Sequence, residues 1–177
     1  MTLVDEDRIN QRIFINSEIA WNYGRLEEPH PEEALKYLNI AKELGREDAW
    51  IYSQIGYQLG YNLETRKEAL DSLKKAYDLN DDSWYLYSIG RCLRGLGRYE
   101  EAIEVLLESR QISIDEDDVV DGEDLELAHC YLGIGDKDNA QKYLNSARDS
   151  IDKQGTLNDD IKREIEEIEK GILSLNN

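Results

Sequence analysis

Proline is nearly absent from this chain, with two in 177 residues, alongside one phenylalanine, one methionine and two cysteines. So little proline, among abundant Leu, Ile, Ala, Glu and Lys, favours helix over sheet. The long β-branched alternations that mark strands are missing as well. Cys92 and Cys130 each sit among apolar residues of a predicted helix and read as small buried hydrophobes, so a reducing compartment is expected rather than a disulfide framework. The start, Met1 to Asp7, has neither a basic nor an apolar leader region. No apolar run is long enough to span a bilayer. The expectation is a soluble, cytoplasmic protein.

Positive charge is also scarce: 21 Lys and Arg stand against 39 Asp and Glu, a net charge of −18. A phosphate backbone would be repelled rather than neutralised, which argues against nucleic-acid binding, and an anionic membrane surface is disfavoured for the same reason. A basic or neutral protein or peptide fits better as a partner, although solubility alone also accounts for such a charge.

What the chain does have is helical periodicity, enough to predict an all-α protein. About 40% of it is hydrophobic. The stretch Ser83 to Ser109, SWYLYSIGRCLRGLGRYEEAIEVLLES, reads as two helices folded back on each other about Gly95-Leu96-Gly97. Upstream, periodicity begins near Ile9 after a polar start expected to fray, breaks at Glu27 to Pro31, and resumes through Ala34, Leu38 and Ala41. Asp48 is a plausible N-cap for the next helix, and Asn62 to Thr65 bends the chain before another. Downstream, an acidic insertion, Ile114 to Glu123, precedes a hairpin over Asp124 to Ile151 that turns at Gly133 to Asp136. Ile161, Ile165, Ile168 and Ile172 then mark one last amphipathic helix with a charged outer face.

The hairpins repeat. Gly56 to Gly90 is 34 residues, Ala34 to Ala69 is 35, Ala69 to Ala102 is 33, and Ala102 to Ala140 is 38. A period in the mid-thirties with two helices per unit is an α-solenoid signature. Leu86, Ile89, Gly90, Leu93, Gly97, Tyr99, Ala102, Leu106 and Ser109 carry the resemblance further, and the chain is similar here to the tetratricopeptide repeat (TPR) family. Weaker copies bring the likeness to about residues 13–151. Gly or Ala at 20, 56, 90 and 128, facing Ala at 34, 69, 102 and 140, lets paired helices approach closely. Asp124 departs from the pattern, standing where an apolar or aromatic residue is expected, and the start of the fourth hairpin is the least defined boundary. The resemblance implies a right-handed superhelix of antiparallel hairpins in one domain, 1–177, with repeats at about 9–45, 48–80, 82–113 and 121–151 and a capping helix at about 158–173.

On the first helix of the third repeat, Leu86, Ile89 and Leu93 take the packing face. Trp84, Tyr87, Arg91 and Arg94 form a second stripe, which in proteins resembling this one lines a concave, partner-binding groove. The repeat offset adds Phe14, Ser17 and Trp21, then Trp50, Ser53 and Tyr57, then Leu125, His129 and Leu132. The candidate groove residues are therefore Phe14, Trp21, Trp50, Tyr57, Trp84, Tyr87, Arg91, Arg94 and His129. Trp, Tyr and Arg dominate binding hot spots. Two readings stand for the tryptophans, exposure in the groove or packing between repeats. Two also stand for Arg91 and Arg94: a partner's carboxylate, or glutamates of this chain. TPR modules that grip a C-terminal carboxylate carry Lys, Asn and Arg at set groove positions. Here those places hold Ser17, Trp21, Gln54, Trp84 and Ser88, so that clamp is missing.

No catalytic arrangement is present: there is no Ser/His/Asp pattern, phosphate loop or inward carboxylate pair. A calcium loop starting at Asp117 would need oxygen ligands at Val119 and Ala128, so the acidic run reads as solvated loop. His129-Cys130 with Cys92 lacks metal-ligand spacing, and His30 reads as an exposed loop residue. No cofactor, metal or enzyme activity is implied. The expected function is a non-catalytic protein–protein interaction module binding a peptide or protein segment in an aromatic groove. The alternatives are an accessory part of a larger enzyme-containing polypeptide or complex, or a scaffold that self-associates through its first repeat.

Overall fold

The computed structural model describes residues 3–26, 30–116 and 119–175, and among these all regular structure is helical. Two compact units divide the chain, Met1–Asp81 and Asp82–Asn177. Unit 1 holds α1 (Leu3–Gly24), α2 (Pro31–Glu43), α3 (Ala49–Gly60), a 3-10 turn (Leu63–Thr65) and α4 (Arg66–Leu79). Unit 2 holds α5 (Ser83–Gly95), α6 (Tyr99–Asp115), α7 (Asp121–Gly133), α8 (Lys137–Gln154) and α9 (Asp159–Ser174). Consecutive helices pair as hairpins, α1 with α2, α3 with α4, α5 with α6 and α7 with α8, and α9 packs on both α7 and α8.

Each boundary has a local cause. Pro31 opens α2 at a position whose N–H would have no helical partner; Glu27, Glu28 and Pro29 lie outside the described residues. The carboxylate of Asp48 accepts the Ile51 N–H, Asp82 that of Trp84 and Asp136 that of Asn139, capping α3, α5 and α8. Gly97 turns the third hairpin at φ 73° and Gly135 the fourth at φ 79°, a backbone region open to glycine at little cost. Helix α1 begins earlier than the periodicity suggests, at Leu3 rather than Ile9. Asp5 and Glu6 lie in its first turn and complement the helix dipole.

Small residues set the spacing inside each hairpin. Ala34, Ala69, Ala102 and Ala140 are fully buried. A methyl group on Gly90 would come within 2.5 Å of Leu106 Cγ, and one on Gly56 within 2.7 Å of Leu73 Cγ, so the facing leucines occupy the space a side chain would need. At the end of unit 2, Ile165, Ile168 and Ile172 of α9 are buried, and Gly171 brings the α9 backbone against Leu132 of α7. This continues the core beyond the last hairpin.

The acidic stretch differs from the expected solvated loop. Asp117 and Asp118, where the calcium-loop reading starts, lie outside the described residues. Helix α6 runs on to Asp115, and α7 begins at Asp121, so Glu123 and Asp124 belong to a helix and are buried. Glu123 Oε1 accepts from the hydroxyls of Ser109 and Ser113, both at 3.1 Å. Asp124 is held by Arg110 at 2.5 Å and by Ser146 at 2.6 Å. The polar residue at the apolar position is thus paid for by partners from α6 and α8.

Candidate functional site

In each unit the residues of interest lie on the first helix of each hairpin, and the two units differ in what they present. In unit 1, α1 and α3 lie in contact and Arg46, in the connection before α3, joins them. Its Nη1 donates to Ser17 Oγ of α1 at 2.7 Å, its Nε pairs with Asp48 at 2.9 Å, and its guanidinium lies 4.1 Å from the centre of the Trp50 ring. Ser17 and Trp50, members of the stripes expected on α1 and α3, are therefore brought to one place. Trp50 is half-buried under this arginine.

The other aromatic candidates of unit 1 are exposed. Phe14 is 63% exposed, Trp21 37% and Tyr57 45%. Arg25 lies 5.0 Å over the Trp21 ring. Tyr57 meets Tyr61 edge to face, with the Tyr61 hydroxyl donating to that of Tyr57 at 2.9 Å. Close to this face Gln58 is buried against Gly24, and its Oε1 accepts no hydrogen bond. Ser53, placed on the stripe by the repeat offset, is instead buried, its hydroxyl donating to the Trp50 carbonyl.

Unit 2 presents a mainly ionic face. Trp84 is 45% exposed and packs edge to face with Tyr85. Tyr87 is half-buried, its ring against Gly122 of α7. Burial pushes its phenol up to about 12, against the pull of the Arg91 guanidinium 5.7 Å from its ring. Arg91 and Arg94 converge on Glu126 of α7. Arg91 Nε is 3.0 Å from Oε1 and Arg94 Nη2 3.4 Å from it, while Arg94 Nε holds Oε2. His129 Nε2 pairs with Glu164 of α9 at 3.2 Å. This hydrogen bond, more than Arg94 and Arg91 beyond it, holds the Glu164 carboxyl below its ordinary range. Leu125 is buried and Leu132 is covered by α9.

Glu126 and Glu164 are the residues that reading the stripes missed. A signal for Glu126 was present: Ser88 was placed in the groove, and the offset of 38 from Gly90 to Ala128 carries Ser88 onto Glu126. Cys92 and Cys130 are buried thiols, and burial raises Cys130 to about 12, far from the reactive range. Among the described residues no three His, Cys, Asp or Glu side chains converge as metal ligands would, and no helix is long and apolar enough to cross a membrane.

Comparison with known proteins agrees with this architecture. The tetratricopeptide repeat family model matches residues 85–117 and 125–147. A crystal structure of MamA protein superposes with TM-score 0.68 at 21% identity, covering 87% of this chain and 80% of its own. Another of MamA gives 0.69 at 19% identity, over 89% and 99%. A crystal structure from Podosopora anserina, described as a kinesin light chain with nearly identical TPR-like repeats, gives 0.61 at 14%, over 96% and 95%. At these identities the likeness establishes the fold, an α-solenoid of TPR-like hairpins. None of the curated proteins matches the chain significantly.

Proposed function

We propose that this chain, whose third and fourth hairpins are tetratricopeptide repeats, is a non-catalytic interaction module that receives a peptide or protein segment on the inner face of its first helices. The observation that carries the reading is the row Phe14, Trp21 and Tyr57 in unit 1. These side chains lie outside the buried core while Ala20, Ile51 and Ile55 of the same helices are buried within it. Exposed aromatics on helices in contact are a usual mark of an interface, and Trp and Tyr supply large contact area at small entropic cost. Arg25 and Arg46, lying over two of the tryptophans, add donors to that surface.

The test is the double substitution Trp21→Ala with Tyr57→Ala. Both rings are substantially exposed, so helical circular dichroism and melting should stay close to those of the parent. Capture of the physiological partner should be lost. Retained capture by a folded double variant would contradict the assignment.

A further inference from the structure

We propose that Arg91 and Arg94 form a carboxylate-binding site that this chain fills with its own Glu126, so that Glu126 decides which partners unit 2 accepts. The inference rests on the inner-face reading above and adds to it the identity of the group that reading leaves in place. Arg91 and Arg94 sit three residues apart on α5, on one side of the helix, and both guanidinium groups point to the same spot. Two such forks suit a carboxylate: an Asp or Glu side chain, or the C-terminus of a peptide. The spot is occupied by a carboxylate from the next hairpin. The Glu126 side chain is only 4% exposed and both of its oxygens are engaged, whereas Arg91 remains 51% exposed at its outer edge.

Competition decides the consequence. A carboxylate fixed on a packed helix beside two arginines is present at an effective concentration of about millimolar or above. A peptide carboxylate at micromolar concentration, with similar intrinsic affinity, does not displace it. Unit 2 is thereby closed to acidic partners, and Trp84 is left as the exposed anchor of its face. Replacing Glu126 by the isosteric, neutral glutamine would leave two cations where the carboxylate was, with Glu164 the acidic group already coupled to both.

The experiment uses the full chain and two synthetic probes. One is a fluorescein-labelled hexapeptide of glycine and aspartate with a free carboxyl terminus; the other has asparagine for aspartate and an amidated end. By fluorescence anisotropy, E126Q should bind the acidic probe about tenfold or more tighter than the parent chain does, and the neutral probe no better. Adding Arg91→Ala to E126Q should remove the gain. No gain in folded E126Q, or equally tight binding by the parent, would overturn the proposal. If E126Q loses its helical circular dichroism, the parent chain still decides. Its Arg91 and Arg94 Nε–H resonances should stay unmoved in an acetate titration, and movement overturns the proposal. Failure here leaves the aromatic face of unit 1 untouched. A partner that docks elsewhere would defeat the inner-face reading while E126Q still gained the acidic probe.

Discussion

Arg110 reaches from α6 to the first turn of α7 and holds the carboxylate of Asp124, which no solvent touches, at 2.5 Å. Asp124 also raises the guanidinium's proton affinity, chiefly through that hydrogen bond. Ser146 of α8 completes the arrangement, so one side chain ties three helices together. A buried carboxylate is tolerated only while its partners stand.

Removing one partner should therefore cost more than removing both. Arg110→Met leaves Asp124 buried with a single hydroxyl donor and should destabilise the chain by about 3–5 kcal/mol. Adding Asp124→Leu, which restores an apolar residue at an apolar position, should recover most of that loss. Urea denaturation of the single and double variants checks both values.

Gly90→Ala should cost about 1–3 kcal/mol, because the added methyl meets Leu106 Cγ at 2.5 Å and Leu106 is fully buried with nowhere to turn. Gly60→Ala meets nothing within 4 Å and should stabilise by about 0.5–1 kcal/mol. A pair of thermal melts compares them. Equal effects would mean that the close approach of α5 and α6 is not a constraint.

The pair His129–Glu164 predicts an acid-sensitive attachment of α9. Glu164 is depressed in the folded chain, so the unfolded chain binds more protons in that range and stability rises with pH there. The contribution is complete above the ordinary carboxylate value of 4.5 and is lost as pH falls through the lower folded value. Glu164→Gln should lower the melting temperature at neutral pH, where the contribution is present, and leave the acid end little changed, so that the profile is flatter below about pH 4.5. A profile identical to the parent's would contradict the coupling.

Deleting residues 158–177 should expose Leu132 and the faces of α7 and α8 that receive Ile165, Ile168 and Ile172. Each buried isoleucine is worth about 1.5–3 kcal/mol, so the shortened chain should melt well below the parent and aggregate at lower concentration. Light scattering during a thermal ramp reads both effects.

The hairpins were legible because they depend on local signals. Gly97 and Gly135 stop helices, Asp48 and Asp82 start them, and the alternation of Ala34, Leu38 and Ala41 marks the buried stripe. The glycine and aspartate signals act within a few residues of themselves, and the buried stripe is read from the spacing along one helix. The pairings of Glu126, Asp124 and Glu164 were not legible because their partners lie elsewhere, 32 residues away for Arg94 with Glu126 and 14 for Arg110 with Asp124. Which residues of neighbouring hairpins meet is set by how the hairpins stack. A helix-by-helix stripe does not contain that information. The same reason explains Trp50, whose covering residue, Arg46, comes from a connection rather than from a helix.

The most direct test of the account places a photoreactive benzoylphenylalanine at Tyr57, on the exposed aromatic face of α3, and in a second protein at Asp71, exposed on α4. After irradiation with the physiological partner, position 57 should cross-link to it, and the added Trp21→Ala substitution should weaken the product. Position 71 should give none. Cross-linking from position 71 with none from position 57 would contradict the claim that the inner aromatic face is where this protein binds.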